Sequence, residues 1–178
     1  MDDASSDGSA DLARQEVEAA GRPGTEFRVV RSETNLGDGL AFVAAIEAAR
    51  GRFYHVLDAD DFWVDPDKLR KQMALLETHG SLAGVGHRAI LRAAEDGSES
   101  FHPQQDPVKP VLNLEDLLTS GAYFHTSAML FRNSFYDPAS GKVVVPQILR
   151  EVTGDTIRLL VHAAAGGDLL PAADHVGL

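Results

Sequence analysis

The sequence predicts an α/β fold built on a mainly parallel sheet that helices cover on both faces. Segments with the helical spacing of apolar residues alternate along the chain with short apolar runs, an order typical of this architecture. The length of 178 residues suits one domain, and 44% hydrophobic with 24% charged residues are ordinary values for a globular chain. We therefore expect residues 1–178 to form a single domain, a three-layer α/β/α sandwich.

Helices are predicted where apolar residues recur every three or four positions. In the first helix Leu12 and Val17 share one face, Ser9 is the expected N-cap and Gly21 the expected stop. Pro66 opens the third helix, at a position where the first turn tolerates proline. The predicted helices are 9–21, 40–50, 66–79, 112–118 and 155–165.

Strands are predicted where β-branched, aromatic and other apolar residues form short runs between turn signals. The polar stretch from 92 to 110 contains Asp96-Gly97 and is predicted to be a hairpin or a long loop. We expect the first three strands to share one sheet. The predicted strands are 26–31, 53–57, 82–91 and 126–132, followed by a weakly strand-like tail at 168–178.

Composition excludes several classes of function. The chain has 27 acidic and 16 basic residues, a net charge of −11, and no basic patch, so nonspecific nucleic-acid binding is not expected. It has no cysteine, which excludes disulfides, thiolate metal sites and cysteine nucleophiles. No apolar run reaches the roughly 18 residues that span a bilayer, and Met1–Ser5 lacks the features of a signal peptide. We therefore expect a cytoplasmic protein.

The strongest local signal is the acidic sequence Asp58-Ala59-Asp60-Asp61, directly after a predicted strand. Ligands of open α/β sheets bind beyond the carboxyl ends of the strands. Three carboxylates so close together repel one another, and a hard divalent cation would offset that repulsion. The alternative is a solvated turn in which Asp61 or Asp65 caps the following helix.

Two glycine-rich stretches do not qualify as phosphate-binding loops. Asn35–Gly39 has one Gly-x-Gly and lacks the third glycine of a dinucleotide-binding loop. Gly84–Ala89 has the spacing of that loop but lies inside an apolar run with no predicted helix after it. We therefore predict no phosphate cradle at either place.

Four stretches occur in a fixed order: Asp2–Ser9, Asn35-Leu36-Gly37, Phe53–Trp63 with Pro66 and Lys68-Leu69, and Ser127–Arg132 with Gly154-Asp155 ahead of a predicted helix. Taken together, they resemble the family 2 glycosyltransferases of GT-A fold, and the resemblance covers most of the chain. It implies a GT-A type α/β fold. It also implies an inverting transferase that moves a sugar from a nucleotide-diphosphate donor to an acceptor hydroxyl.

The resemblance also implies roles for individual acidic residues. Asp60 and Asp61 would contact a Mn²⁺ or Mg²⁺ ion that stabilises the departing diphosphate. Asp58 would act through the ribose or through the water shell of the metal, and Asp3 would hydrogen-bond the nucleobase. Asp155 matches the family's acidic position for the base that takes the acceptor proton, with Glu151 as the second choice.

The resemblance further implies a nucleotide-sugar donor and a saccharide, lipid or protein acceptor as partners. His125 stands beside aromatic residues, where it either packs as a satisfied side chain or faces the acceptor cleft. A peripheral membrane contact and a homo-oligomer are left open.

The chain departs from the family pattern in three places. Family members carry a first strand and helix before the residues that match Asp2-Asp3, so we expect a sheet that is incomplete at the N-terminus and exposes a pairing edge. No long segment follows Asp155 for an acceptor subdomain, and Phe42-Val43 stands where the family has Arg-Asn. Two alternatives stay open. One is a phosphatase of the haloacid dehalogenase type with Asp58 as nucleophile and Asp60 as acid, and the other is a noncatalytic binding or assembly domain.

Overall fold

The computed structural model describes residues 1–104, 109–120, 124–152, 154, 161–162, 164 and 168–171. These residues group into two compact units, one within 1–50 and 135–154, the other within 51–134 and 155–178. The helices are α1 (Ser9–Ala20), α2 (Asp38–Ala48), α3 (Lys68–Thr78), α4 (Leu114–Ser120) and α5 (Ile148–Glu151). The strands are β1 (Phe53–His55), β2 (Leu82–Gly86), β3 (Ala89–Arg92), β4 (Glu99–His102), β5 (Leu130–Arg132), β6 (Tyr136–Asp137), β7 (Lys142–Val143) and β8 (Asp168–Pro171).

In the first unit, α1 and α2 confirm two of the predicted helices. The expected cap of α1 is wrong, because Gly8 occupies the N-cap position at φ 86° and the carboxylate of Asp7 accepts the N–H of Ser9 at 3.0 Å. Gly21 ends the helix in the left-handed conformation that glycine adopts without strain. Leu12 is 58% exposed, so the apolar face predicted for α1 is not buried.

The core of the first unit lies between α2 and α5. Val43 and Ile46 of α2 and Leu149 of α5 are buried. Arg150 of α5 forms an ion pair with Glu47 of α2, and β6 and β7 form a short antiparallel hairpin. The four-residue α5 is thus held by apolar packing and one surface ion pair.

The second unit contains a four-stranded sheet in the order β1-β5-β2-β8. β5 runs antiparallel to both of its neighbours, β1 and β2, whereas β2 runs parallel to β8. β1, β2 and β8 therefore run in the same direction, and β5 runs in the opposite direction between β1 and β2. A mainly parallel sheet with helices on both faces is not confirmed, because two of these three pairings are antiparallel.

α3 packs on this sheet and confirms the helix predicted at 66–79. Leu76 of α3 forms a buried cluster with Leu82 and Val85 of β2 and Leu130 of β5. Burying a side chain of this kind stabilises the fold by about 1.5–3 kcal/mol. Gln72 and Lys68, one turn and two turns before Leu76, are buried on the same face of α3 and belong to the candidate site.

Two predicted strands are divided differently in the structure. The run 82–91 gives both β2 and β3, because the chain leaves the sheet after Gly86 and β3 pairs with β4 instead. A Cβ added at Gly86 would lie 2.7 Å from Cδ2 of Phe124, so this strand end is packed too tightly for a side chain. The run 126–132 begins as a 3₁₀ turn at Thr126–Ala128 and becomes the strand β5 only at Leu130.

The strand predicted at 26–31 is wrong. Residues 27–30 have no strand conformation, and the segment is not among the strands of the four-stranded sheet. Arg31 forms an isolated parallel bridge with Asp2, whose N–H donates to the carbonyl of Val30 at 2.8 Å. The apolar alternation here is suitable for a strand, but this bridge pairs only one of its residues.

The hairpin predicted between 92 and 110 is confirmed in part, because β4 and the turn lie in that stretch whereas β3 lies almost wholly before it. β3 and β4 pair antiparallel from Ala89 opposite His102 to Arg92 opposite Glu99. Gly97 in its loop has a φ of 71°, as an Asp-Gly turn requires. α4 confirms the helix predicted at 112–118 and β8 lies in the predicted tail, whereas the helix predicted at 155–165 falls largely outside the described residues. Across the described ranges, no helix is both long and apolar enough to cross a membrane.

Candidate functional site

The acidic loop, residues Asp58–Asp61, leaves the sheet after β1. A turn closes it, since the N–H of Asp61 donates to the carbonyl of Asp58 at 3.1 Å. The N–H of Asp58 donates to Oγ of Ser127 at 3.1 Å, and Ser127 is fully buried. The 3₁₀ turn before β5 therefore fixes the point at which the acidic loop begins.

Asp58, Asp61 and His125 each place one possible metal-ligating atom within 4.8 Å of the others. Nδ1 of His125 lies 3.4 Å from Oδ2 of Asp61. Both of these atoms are buried and have no hydrogen-bond partner. A buried polar atom without a partner costs about 1–3 kcal/mol, and a cation bound between the two would satisfy both.

His55, the last residue of β1, connects the region of the acidic loop to the segment before β5. Its Nδ1–H donates to the carbonyl of Met129 at 2.6 Å, and its Nε2 accepts the Nε1–H of Trp63 at 3.2 Å. This pair of bonds requires the neutral ring with its proton on Nδ1, a tautomer inferred from the partners. Burial lowers the pKa of His55 to about 4, so the ring is neutral near pH 7.

Lys68, at the start of α3, is a buried cation with 1% of its surface exposed. Its Nζ donates to Oε1 of Gln72 at 2.9 Å and lies 5.2 Å from the centre of the Trp63 ring. Nε2 of Gln72 donates to the carbonyls of Val85 at 3.0 Å and Ala128 at 2.8 Å. Burial lowers the pKa of Lys68 to about 8. This network ties α3 to β2, to the 3₁₀ turn and to the segment that follows the acidic loop.

Asp3, in the first unit, organises the loop that contains Asn35-Leu36-Gly37. Its carboxylate accepts the hydroxyl of Ser32 at 2.8 Å and the N–H groups of Leu36 at 2.8 Å and Gly37 at 2.9 Å. The hydrogen bond from Leu36 is the main cause that lowers the pKa of Asp3. Both amides already bind this carboxylate, which supports the prediction that the loop is not a phosphate cradle.

A sequence model of the family described as "Glycosyl transferase family 2" matches residues 1–137. The chain belongs to glycosyl transferase family 2. Membership implies a GT-A type α/β fold and supports a role in glycosyl transfer.

Similar proteins extend well beyond the length of this family 2 chain. Uncharacterized protein Rv1520 of Mycobacterium tuberculosis (strain ATCC 25618 / H37Rv) is 29% identical over 143 residues, which cover 80% of the chain and 40% of that protein. The "Putative teichuronic acid biosynthesis glycosyltransferase TuaG" of Bacillus subtilis (strain 168) is 34% identical over 55% of the chain and 36% of its own length. Succinoglycan biosynthesis protein ExoO of Rhizobium meliloti (strain 1021) is 29% identical over 71% of the chain and 34% of its own length. The matched region thus spans about two fifths or less of each relative.

The family 2 resemblance assigned the metal contacts to the acidic loop, and the structure groups two carboxylates of that loop with His125. Asp61 lies in the group with His125, and Asp58 joins the same group, although only a contact through ribose or water was expected for it. Asp60 is exposed and lies outside this group. A metal contact for Asp60 stays a prediction.

His125 is the residue that sequence reasoning did not assign to the metal. It is distant from the acidic loop in sequence and reaches it through the fold, because β5 pairs with β1 and the 3₁₀ turn precedes β5. The available indication of this role was the position of the imidazole at the start of the buried segment 126–131, because a polar group there needs a hydrogen-bond partner or a ligand.

The general base proposed for a family 2 enzyme is not among the groups described above. Asp155 lies outside the described residues, so its role stays a prediction. Glu151, the second choice, is exposed at the end of α5, where its carboxylate accepts Nε2–H of Gln147 at 3.1 Å.

Proposed function

We propose that this chain is part of an inverting, metal-dependent glycosyltransferase that moves a sugar from a nucleotide-diphosphate donor to an acceptor hydroxyl. The observation that carries the proposal is the group of Asp58, Asp61 and His125 in a chain of family 2. In such a reaction the diphosphate leaves as an anion whose charge must be stabilised where it develops. Carboxylates alone would repel that anion, so the proposal includes a divalent cation at this group.

The three side chains suit a divalent cation. Oδ2 of Asp61 and Nδ1 of His125 are buried without hydrogen-bond partners, so both are available as ligand atoms. Two carboxylates and one imidazole favour Mn²⁺ over Mg²⁺, because Mg²⁺ is bound mainly through oxygen. Asp58, Asp61 and His125 would hold the ion, with Asp60 as a further contact implied by the family. When bound, the ion would supply Lewis-acid stabilisation of the departing diphosphate.

The remaining tasks of the proposed reaction belong to the protein's own carboxylates. The acceptor oxygen attacks the anomeric carbon, and the new C–O bond forms as the bond to the diphosphate oxygen breaks. The acceptor proton passes to a carboxylate, for which Asp155 is proposed, with Glu151 as the second choice. Asp3 is proposed to accept a hydrogen bond from the nucleobase, and its backbone partners keep its carboxylate ionised and oriented.

The acceptor class is proposed from the names of the relatives. TuaG and ExoO are named for the biosynthesis of teichuronic acid and of succinoglycan. By analogy we propose that the acceptor of this chain is a saccharide. A cytoplasmic location and a three-layer GT-A sandwich over residues 1–178 are further parts of the proposal.

Binding of Mn²⁺ tests the proposal, measured by the loss of the free ion's electron paramagnetic resonance signal with and without UDP or GDP. We expect the nucleotide to raise Mn²⁺ affinity, because its diphosphate adds oxygen ligands. Asp61→Asn and His125→Gln should each weaken Mn²⁺ binding about tenfold or more, because loss of even an outer-shell partner of a metal ligand typically costs about 10- to 100-fold in affinity. Asp96→Asn, at an exposed carboxylate in the β3–β4 loop, is the matched control and should leave it unchanged. Unchanged affinity in both site variants would remove the metal site and the proposed function with it.

A further inference from the structure

A cavity of about 710 Å³ lies between the chain that follows β1 and the β3–β4 hairpin, within the second unit. Its lining residues come from these two stretches of the chain and include Asp60, Asp61 and Phe62 from the first and Leu91 and Arg92 of β3 from the second. Its volume falls in the range of about 300–1,000 Å³ that small-molecule sites occupy. The metal group described above does not account for this space, because only Asp61 belongs to both.

The apolar part of the cavity is open to solvent. Phe62 is 65% exposed and Leu91 42% exposed, and both line the cavity. Large apolar side chains exposed beside polar groups in a concave site are typical of ligand binding. An aromatic ring and an aliphatic side chain that line the same cavity suit a flat ligand with apolar C–H faces.

The polar part of the cavity is acidic. Its charged lining residues are Asp60, Asp61, Glu99 and Arg92. Arg92 is already paired, since its Nε and Nη2 donate to the same oxygen of Glu99 at 3.0 and 2.6 Å. In the absence of a metal ion the lining therefore repels anions and offers carboxylate oxygens as hydrogen-bond acceptors. A neutral hydroxyl group can donate a hydrogen bond to such an oxygen without electrostatic repulsion.

We propose that this cavity is a saccharide-binding subsite that takes the acceptor as a neutral pyranoside. A pyranose ring combines an apolar C–H face with a rim of hydroxyl groups, which matches the apolar and acidic parts of the lining. Asp61 lies both in the cavity wall and in the group proposed to hold the metal, so a sugar bound here is adjacent to that group. The inference that the bound sugar is the acceptor rests on the proposed function. Binding of a sugar in this cavity does not itself require glycosyl transfer.

Saturation-transfer NMR on the chain tests the subsite, first in metal-free buffer. The probes are the methyl glycosides of glucose, galactose, mannose and N-acetylglucosamine, with methyl glucuronide as the anionic counterpart. We expect at least one neutral glycoside to bind, with saturation strongest at its ring C–H protons, and methyl glucuronide to bind more weakly. Phe62→Ala should raise the Kd of that glycoside by about two- to tenfold, the range that a lost aromatic contact carries.

Phe101→Ala is the matched control. Phe101 is a half-exposed ring on β4 of the same hairpin and is not among the cavity-lining residues. The glycoside Kd should be unchanged in this variant. Equal effects of the two substitutions, or tighter binding of methyl glucuronide than of every neutral glycoside, would overturn the assignment.

A parallel titration with Mn²⁺ and UDP or GDP separates the two proposals. If the nucleotide binds with Mn²⁺ but no neutral glycoside binds, the subsite is refuted and the proposed function stands. If a glycoside binds in a Phe62-dependent manner but neither nucleotide does, the saccharide subsite is supported and the proposed donor chemistry is refuted.

Discussion

Lys68→Met tests how much the burial of the Lys68 ammonium beside Trp63 costs the folded state. At 1.36 kcal/mol per pKa unit, the shift from 10.5 to about 8 corresponds to about 3 kcal/mol against the folded state at pH 7. Methionine keeps the length and volume of the side chain and removes the charge. It also leaves Oε1 of Gln72 without its donor, which costs about 1–3 kcal/mol at any pH.

The pH dependence separates these two terms. The unfolded chain keeps the Lys68 proton up to about pH 10.5, whereas the folded chain releases it above about pH 8. The unfolded state therefore binds more protons between these values, and the free energy of unfolding gained from this group rises with pH across that window. Lys68→Met lacks this rise, so its stability relative to the wild-type chain should fall by about 2–3 kcal/mol between pH 7 and pH 10.

Urea denaturation of both chains at pH 7 and at pH 10 measures this difference. Lys71→Met, at an exposed lysine of α3 whose Nζ lies 2.7 Å from Oδ2 of Asp65, is the matched control for removing a lysine from this helix, and the change for Lys68→Met between the two pH values should exceed the change for this variant. A Lys68→Met difference that is the same at both pH values would refute the claim that folding depresses the pKa of this ammonium.

Three further outcomes follow from the described contacts and one from the proposed mechanism. Gly86→Ala should lower the free energy of unfolding by about 1–3 kcal/mol in a urea titration, because the new methyl group would overlap the ring of Phe124. Asp3→Asn should speed hydrogen exchange at the two backbone amides that donate to this carboxylate, read by NMR, since a neutral amide accepts more weakly. Burial lowers the pKa of His87 to about 4, so the stability that depends on its neutral ring is full above pH 6.5 and is lost as the pH falls towards 4. In His87→Met, the measured loss of unfolding free energy across this pH range should be smaller by about 3 kcal/mol. Asp155→Asn should lower turnover about 10²-fold or more with unchanged donor affinity in steady-state kinetics, if this residue is the base.

The helices could be predicted from the sequence because their signals are local. In α3, the spacing of Leu69, Met73 and Leu76 predicts a helix without knowledge of its neighbours. The expected start at Pro66 is wrong, because Asp67 is the N-cap and the helix begins at Lys68. The strands were less predictable, because a strand requires a partner that the local pattern does not name. Residues 27–30 have a suitable apolar pattern and no strand, whereas 82–91 contains two strands that belong to different sheets.

The site shows the same division between local and distant information. Asp58 and Asp61 are three residues apart on one turn, so the sequence alone placed them together. His125 depends on the pairing of β5 with β1, and Lys68 gives no sequence sign that its ammonium is buried. Lysine is normally exposed, so its burial here follows from tertiary packing.

Trp63 is the only tryptophan of the chain, and its indole N–H is bonded to His55 while Lys68 lies over its ring. All tryptophan fluorescence of these 178 residues therefore originates two residues beyond the acidic loop. A change in the position of that loop, or in the charge of either neighbour, will alter the emission intensity or wavelength without any attached dye. The protein thus carries its own optical probe at the one place where metal, nucleotide and sugar binding are proposed to meet.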